Sequence, residues 1–359
     1  MKTKTVCVGI DRGFGVTKFY SDMASGQIDS LVAPISAARA KELIANNADD
    51  EKVIILKEGD KFYLLGSRVA DVEPEYGARN LNRNRDGLNE RILFMAGLGK
   101  ATASAENVNV YLTTGLPTDE FEKNKKEYEE IVMNEGKSYV FSLISLGKES
   151  KKRITVKAAT VENQPKGTII TVLNSKLEDG EPWEDLRQRK FAVCDVGFNT
   201  TDASVYVGKD IVGGGDKINF STFAMASIIA EAKKLIEEAH DCKKSENDVL
   251  TALVSGKIKV KGKEIDCTEQ VIEAFSSNAE RIVDQMASKW DNYFDAFDEI
   301  ILTGGAVANK TFAKILKQKF IDRFGWEVTV CKDPQIANAY GFYTIACSVK
   351  NTREDDDEE

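Results

Sequence analysis

Apolar and polar positions along the chain fall into runs that predict alternating strands and helices. Val6 to Asp11 is an apolar run closed by a carboxylate, followed by a turn with Gly13 and Gly15 and a second run led by Thr17 and Lys18. That pattern predicts a hairpin around a tight, phosphate-sized turn. Phe191 to Val207 repeats it. Aligning Asp11 with Asp195 places Gly13 on Gly197, Phe14 on Phe198 and Thr17 on Thr201, so both copies read D-x-G-F-x-x-T. Between them the spacing predicts a helix over 33–46, with Pro34 where a helix start tolerates it, and a hairpin over 53–66 around Glu58-Gly59-Asp60. A helix follows at about 88–104, with Leu88, Ile92, Met95, Ala96 and Gly99 along one face. Then come a buried strand ending at Gly115-Leu116-Pro117, a charged helix to Met133, and strands over 139–146 and 154–161 about a lysine-rich turn. Beyond the polar connection 180–190 and the second hairpin, a long amphipathic helix leads into charged, Gly-punctuated material at 240–266. A helix (268–290), a strand (299–305), a helix (309–324), a strand (327–331) and a last helix (335–349) complete the series. The alternation is that of an α/β protein, and the repeated hairpin predicts a duplicated fold holding one ligand between two similar lobes.

Composition agrees with two lobes. A chain of 359 residues exceeds one ordinary core, and 42% apolar with 30% charged residues is a globular composition. No run approaches the ~18 to 20 apolar residues of a membrane span. MKTKTVCVG leads into a strand without an apolar export region, so the expectation is a cytoplasmic protein. The six cysteines form no C-x-x-C pair and read as buried, reduced thiols. The single histidine, His240, lies in a charged helical stretch and reads as a surface residue; a His-rich zinc site is excluded. The net charge of −9 argues against DNA binding through a broad basic face, and the acids 354–359 read as a solvated tail.

The chemistry points to a phosphate ligand. Gly13 and Gly15 let backbone approach an anion that a Cβ would obstruct, and Lys18 supplies a mobile point charge. Gly197, Asn199, Thr200 and Thr201 repeat the clamp with amide and hydroxyl donors. Asp11 and Asp195 would repel phosphate unless a cation lay between them, a role that suits Mg²⁺. LTGGAVANK (302–310) adds a third glycine turn. The Walker A pattern and G-x-G-x-x-G are both absent, which leaves the P-loop and Rossmann readings without support.

D-R-G-F-G-V-T-K, D-V-G-F-N-T-T-D and T-G-G-A resemble the phosphate-one, phosphate-two and adenosine motifs of the actin-fold ATPases. FYLLGSRVAD, NVYLTTGLPTDEF and DPQIANAYGFYTIA are most similar to the plasmid-segregation group, the ParM and actin-like proteins. The resemblance runs from about Thr5 to Val349 and is weakest over Cys242 to Asp266. It implies an actin-like (ribonuclease-H-like) ATPase fold of two duplicated lobes around a nucleotide cleft. The first would be 1–186, with the helix 333–349 packing back on it. The second would be 187–332, with a small inserted subdomain at about 240–267, and 350–359 would be a disordered acidic tail.

By the same resemblance, ATP or GTP would contact Asp11, Gly13, Phe14, Gly15, Val16, Thr17 and Lys18 from the first motif. Gly197, Asn199, Thr200 and Thr201 would contact it from the second, and Gly304, Gly305 and Ala306 from the third. Asp11 and Asp195 would hold Mg²⁺ through water, and Asp195 would also order the attacking water. Within VENQPKG, Glu162 best matches the water-orienting position, with Gln164 as the alternative. The implied function is a filament-forming ATPase that segregates plasmid DNA, binding itself and a separate DNA-binding adaptor rather than DNA or membrane. Arg79, Arg83, Arg85 and Arg91 then read either as a contact for the next subunit's acids or as a solvated face. A small-molecule (sugar-type) kinase and a regulatory ATPase of the same fold are the alternatives.

Overall fold

The computed structural model describes residues 3–77, 87–212, 220–222, 224–290 and 297–358. The first stretch of chain forms strands β1 (Lys4–Arg12), β2 (Val16–Tyr20), β3 (Ser25–Asp29) and β4 (Val32–Ile35), then helix α1 (Ala37–Asn46). It continues with β5 (Ile54–Glu58), β6 (Lys61–Leu65), α2 (Arg68–Val72), α3 (Leu88–Ala101), β7 (Asn107–Leu116) and α4 (Thr118–Met133). Next are β8 (Tyr139–Ser145), β9 (Lys148–Asn163), α5 (Gln164–Glu178), α6 (Trp183–Leu186), β10 (Lys190–Val196) and β11 (Thr201–Val207). After β12 (Asp210–Ile211) and β13 (Phe220–Thr222) come α7 (Met225–His240), α8 (Glu246–Ser255), β14 (Lys257–Val260) and β15 (Lys263–Asp266). The series closes with α9 (Thr268–Trp290), β16 (Glu299–Thr303), α10 (Lys310–Phe324), β17 (Glu327–Val330) and α11 (Ala337–Glu358).

Two compact units emerge: Met1–Thr171 with Asn338–Glu359, and Val172–Ala337. The division runs through α5, upstream of the polar stretch 180–190, because the first turns of that helix pack on α11. In the first unit nine strands lie in the order β3-β2-β1-β7-β9-β8-β5-β6-β4. β1, β7 and β9 are parallel, and the others join antiparallel. In the second unit the order is β12-β11-β10-β16-β17, with β13 on β11. The duplication is visible in the pairing. β1 pairs antiparallel with β2 and parallel with β7, as β10 does with β11 and β16. Each sheet buries its strand interiors with helices: α3 is buried from Ile92 to Gly99 in the first, and α7, α9 and α10 share one core with β10 and β16 in the second.

Several sequence expectations are corrected. The helix expected from Ala33 starts at Ala37, capped by the Ser36 side chain on the Arg39 N–H, and 32–35 is strand. Pro34 sits on β4, the edge of its sheet, where a missing N–H interrupts no ladder. Leu88, expected on the buried face of α3, is 52% exposed. The strand expected over 154–161 is longer, reaching back to Lys148 through a turn at Leu146-Gly147. QPKGTIITVLNSKLE, to which the sequence pattern assigned no element, is helix α5. Gly167 crosses Gly341 of α11 so closely that an added Cβ on Gly341 would run into the Gly167 carbonyl. The final helix, expected to stop at 349 before a disordered tail, keeps helical backbone through the acids to Glu358.

The insertion at 240–267 is α8 with the β14–β15 hairpin. Its Val249, Leu253 and Ile258 join the main core of the second unit. His240 ends α7 and is half-buried. All six cysteines are free; Cys242 and Cys347 are half-buried and the other four buried.

Candidate functional site

Strand alternation divides the first hairpin into two functional faces. Asp11 lies opposite Lys18 and Arg12 opposite Thr17 in the β1–β2 register. On the Asp11 face the carboxylate is buried and bound at both oxygens. Lys18 Nζ lies 2.9 Å from Oδ2, and Gln164 Nε2 donates to Oδ1 at 3.0 Å. Gln164, the first residue of α5, thus stands beside the aspartate. Glu162 lies two residues earlier in β9, half-buried, with no side-chain hydrogen bond among the described residues. Of the two water-orienting candidates, Gln164 is the one brought to Asp11.

The opposite face explains the shape of the turn. Arg12 is fully buried. Its guanidinium donates to Glu90 of α3 at 2.8 Å, to Ser30 Oγ at 3.1 Å and to Thr17 Oγ1. Ser30 in turn donates to the Gly13 carbonyl at 2.8 Å, and the Ser30 N–H donates to the Gly15 carbonyl at 2.9 Å. The Thr17 hydroxyl therefore faces inward and shapes the loop. Phe14 and Val16 are half-buried at the turn's tip, which closes through Gly13 N–H to the Val16 carbonyl at 3.1 Å. Sequence reading missed Arg12, although its parity opposite Asp11 in a buried hairpin signals an arginine that needs an acid. Of the arginine-rich segment, Arg79, Arg83 and Arg85 lie outside the described residues, and Arg91 forms a two-point pair with Glu58 at 2.6 and 2.7 Å.

The second hairpin reproduces the turn within its own unit. Gly197 N–H donates to the Thr200 carbonyl at 2.9 Å, the counterpart of the Gly13–Val16 bond. The Gly197 and Phe198 carbonyls accept the first N–H groups of α7. Asn199 is half-buried and Thr201 fully buried. The position of Lys18 is taken by Asp202, opposite Asp195 in the register and buried like it; Thr200 Oγ1 donates to Asp202 at 2.9 Å. The third motif joins this end of the sheet. Ala306 N–H donates to the Val196 carbonyl at 3.0 Å, and Gly304, at φ 95°, packs so tightly that a Cβ would strike Asp195 Oδ1. Gly305 meets Gln335, a neighbour the motif reading did not include.

Each unit by itself holds part of the chemistry that a magnesium–triphosphate group needs. Gly13 and Gly197 have no room for a Cβ, which would meet the Val16 and Thr200 carbonyls that close each turn. In the first unit an ammonium follows the turn, a group suited to phosphate, and in the second two carboxylates face each other, a pair suited to a cation. No cluster of three or more His, Cys, Asp or Glu side chains that could hold a metal occurs among the described residues. The Thr113 and Thr114 hydroxyls, at the carboxyl end of β7, are buried without a partner among the described residues, and neither was singled out from sequence. The carboxyl ends of parallel strands are where α/β sheets bind ligands.

Comparison with known proteins bears on the fold. The profile of the actin-like proteins' N-terminal domain matches residues 9–167, and that of the archaeal actin homologue MreB-like C-terminal domain matches 193–317. No curated protein sequence matches the chain. Among solved structures, the chain is similar to a 15-stranded ParM filament from Clostridium botulinum, with TM-score 0.77 and 19% identity over 96% of this chain and 100% of that one. It is also similar to actin-like protein Alp7A, with TM-score 0.75 and 16% identity over 99% of each chain. Bacillus thuringiensis ParM with ATP gives TM-score 0.68 and 15% identity over 97% of this chain and 100% of that one. The chain thus has the actin-like fold, shared with these structures over 96–99% of its length, and actin-type domain profiles match residues 9–167 and 193–317.

Proposed function

We propose that the protein is an ATPase that assembles into filaments when it binds ATP and Mg²⁺, hydrolyses the nucleotide afterwards, and so drives segregation of plasmid DNA. The observation that carries this is the repeated turn: the same glycine-to-carbonyl hydrogen bond, with an aspartate at the end of each strand, in both units. The relatives support it, since one is a filament and another carries ATP.

In this reading the turn N–H groups and Lys18 bind phosphate, and Asp11 and Asp195 face the magnesium hydration shell. Bound Mg²⁺ would neutralise charge on the phosphates. Gln164, held by Asp11, orients the attacking water. Hydrolysis is then positioning and electrostatics, with little covalent work for the protein. A head-to-tail contact that does not close generates the filament, and ATP favours the assembling conformation by differential affinity. DNA is held by a separate basic adaptor, which suits a chain of net charge −9. No helix among the described residues is long and apolar enough to cross a membrane.

Sedimentation and phosphate release test the proposal together. Pelleting is expected with ATP and Mg²⁺, followed by phosphate release, and neither is expected when EDTA removes the metal. Protein that stays in the supernatant with ATP, GTP or a non-hydrolysable analogue up to high concentration refutes it.

A further inference from the structure

Two faces of opposite charge, one in each unit, carry ions that are largely without partners among the described residues. In the first unit the register of β5, β8 and β9 puts Lys57, Ser142 and Lys151 in one row and Val140 and Arg153 in the next. Lys152 and Phe141, of the other parity, are buried, so Val140, Lys151 and Arg153 share the outer face. Val140 is 52% exposed at the middle of this face, which borders an open cavity of about 330 Å³. The Lys57 ammonium lies over the Phe62 ring at 5.5 Å, and none of Lys57, Lys151 and Arg153 forms an ion pair among the described residues. Glu106 is the acid on the rim.

In the second unit Glu269, Ile272, Glu273, Ser276 and Glu280 recur every three or four residues and form one stripe of α9, opposite its buried Val271, Ala274 and Phe275. Ile272 is 44% exposed, and the stripe borders an open groove of about 540 Å³. Glu280 holds Lys319 at 2.9 Å; Glu269 and Glu273 are in no ion pair among the described residues.

We propose that these faces meet between copies of the chain, the acidic stripe of α9 on one subunit lying across the cationic strand face of the next, with Ile272 against Val140. The inference rests on the assembly reading above and supplies its contact. Charge complementarity carries it: three cations around one exposed aliphatic residue face three acids around another. The stripe from 269 to 280 is about 17 Å long, enough to cross three strands spaced about 4.8 Å apart. A nucleic-acid strand suits the cationic face less well, since no exposed aromatic lines it for base stacking. The two surfaces differ, so the contact is heterologous and repeats along a line.

Charge reversal with rescue tests it. K151E/R153E makes both faces of one variant acidic, and E269K/E273K makes both faces of another basic. Each alone is expected to need at least tenfold more protein than wild type to sediment with ATP and Mg²⁺, with an unchanged thermal melt. An equal mixture is expected to sediment near the wild-type concentration, because the two variants alternate. Variants that assemble like wild type, or a mixture that fails where wild type pellets, overturn the contact and leave the filament reading standing. A wild type that never pellets removes both.

Discussion

Replacing Gln164 separates the two residues that compete for the water-orienting role. In Gln164→Ala, Asp11 Oδ1 loses a buried donor at 3.0 Å while Lys18 keeps Oδ2. A hydrogen bond to a charged group contributes about 1.5–3 kcal/mol, so the first unit should melt roughly 4–10 °C lower. If the amide also holds the attacking water, turnover falls by about 10²-fold or more. Glu162→Ala removes a half-buried carboxylate without a hydrogen bond among the described residues, and such changes cost under about 0.5 kcal/mol, or roughly twofold in rate. Gln164→Glu is the informative control. It puts a carboxylate against Asp11 with one ammonium to serve both, so one carboxyl binds a proton more tightly. The protonated acid donates as the amide did, and activity should therefore recover as pH falls, a trend absent from wild type. Single-turnover phosphate release under saturating ATP, with a thermal melt for each variant, supplies both readouts. A Glu162→Ala enzyme slowed a hundredfold beside a fully active Gln164→Ala enzyme would refute the assignment.

Three further outcomes follow from buried charge and thiol chemistry. Arg12→Ala empties a fully buried guanidinium site and leaves half-buried Glu90 without that partner, and should destabilise the protein by about 3–5 kcal/mol in urea titrations. Cys347 is pulled down to about 7 by a hydrogen bond from Cys7, with a second from Tyr343, so its alkylation should show a midpoint near that pH and move toward 9 in Cys7→Ala. Lys152 is buried against the Ala103 and Ala105 carbonyls, and burial lowers its pKa to about 8 from 10.5. Between those two values the unfolded chain holds the proton that the folded one has released. Stability relative to Lys152→Met should thus rise with pH across that window, by on the order of 3 kcal/mol in full, measured by urea unfolding at both ends.

The hairpins were legible because a strand's period of two and a glycine turn are local signals, and the copy at Asp195 repeats the one at Asp11. Helix α5 was not. Its Thr168-Ile169-Ile170-Thr171-Val172 run has the branched composition of a strand, and what makes it helical is long-range. Gly167 lies against α11, and the Thr168 N–H and hydroxyl both reach Asn338 Oδ1, at 3.1 and 2.7 Å. Neither partner can be read from the segment itself. Pro34 misled in the other direction: its tolerance at a helix start competes with its tolerance on an edge strand, and only the sheet order decides between them. Within the candidate site, side-chain orientation was not legible, so Thr17 reads as a ligand donor until Arg12 and Ser30 claim its hydroxyl.

The duplication is most informative where it fails. Both turns have the same backbone closure and the same aspartate, yet the residue facing that aspartate is Lys18 in one copy and Asp202 in the other. Opposite Asp11 the ammonium supplies the neutralising charge from within the protein. Opposite Asp195 there is a second buried acid, and two adjoining carboxylates favour an external cation or a proton. If one triphosphate is served by both copies, the first turn has the charge to hold its oxygens and the second has the charge to hold its metal. Exchanging the two should then separate the functions. Lys18→Asp should weaken nucleotide binding at every magnesium concentration, whereas Asp202→Asn should raise the magnesium needed for half-maximal binding. Equal magnesium dependence in Asp202→Asn and wild type would show that the second turn does not face the metal.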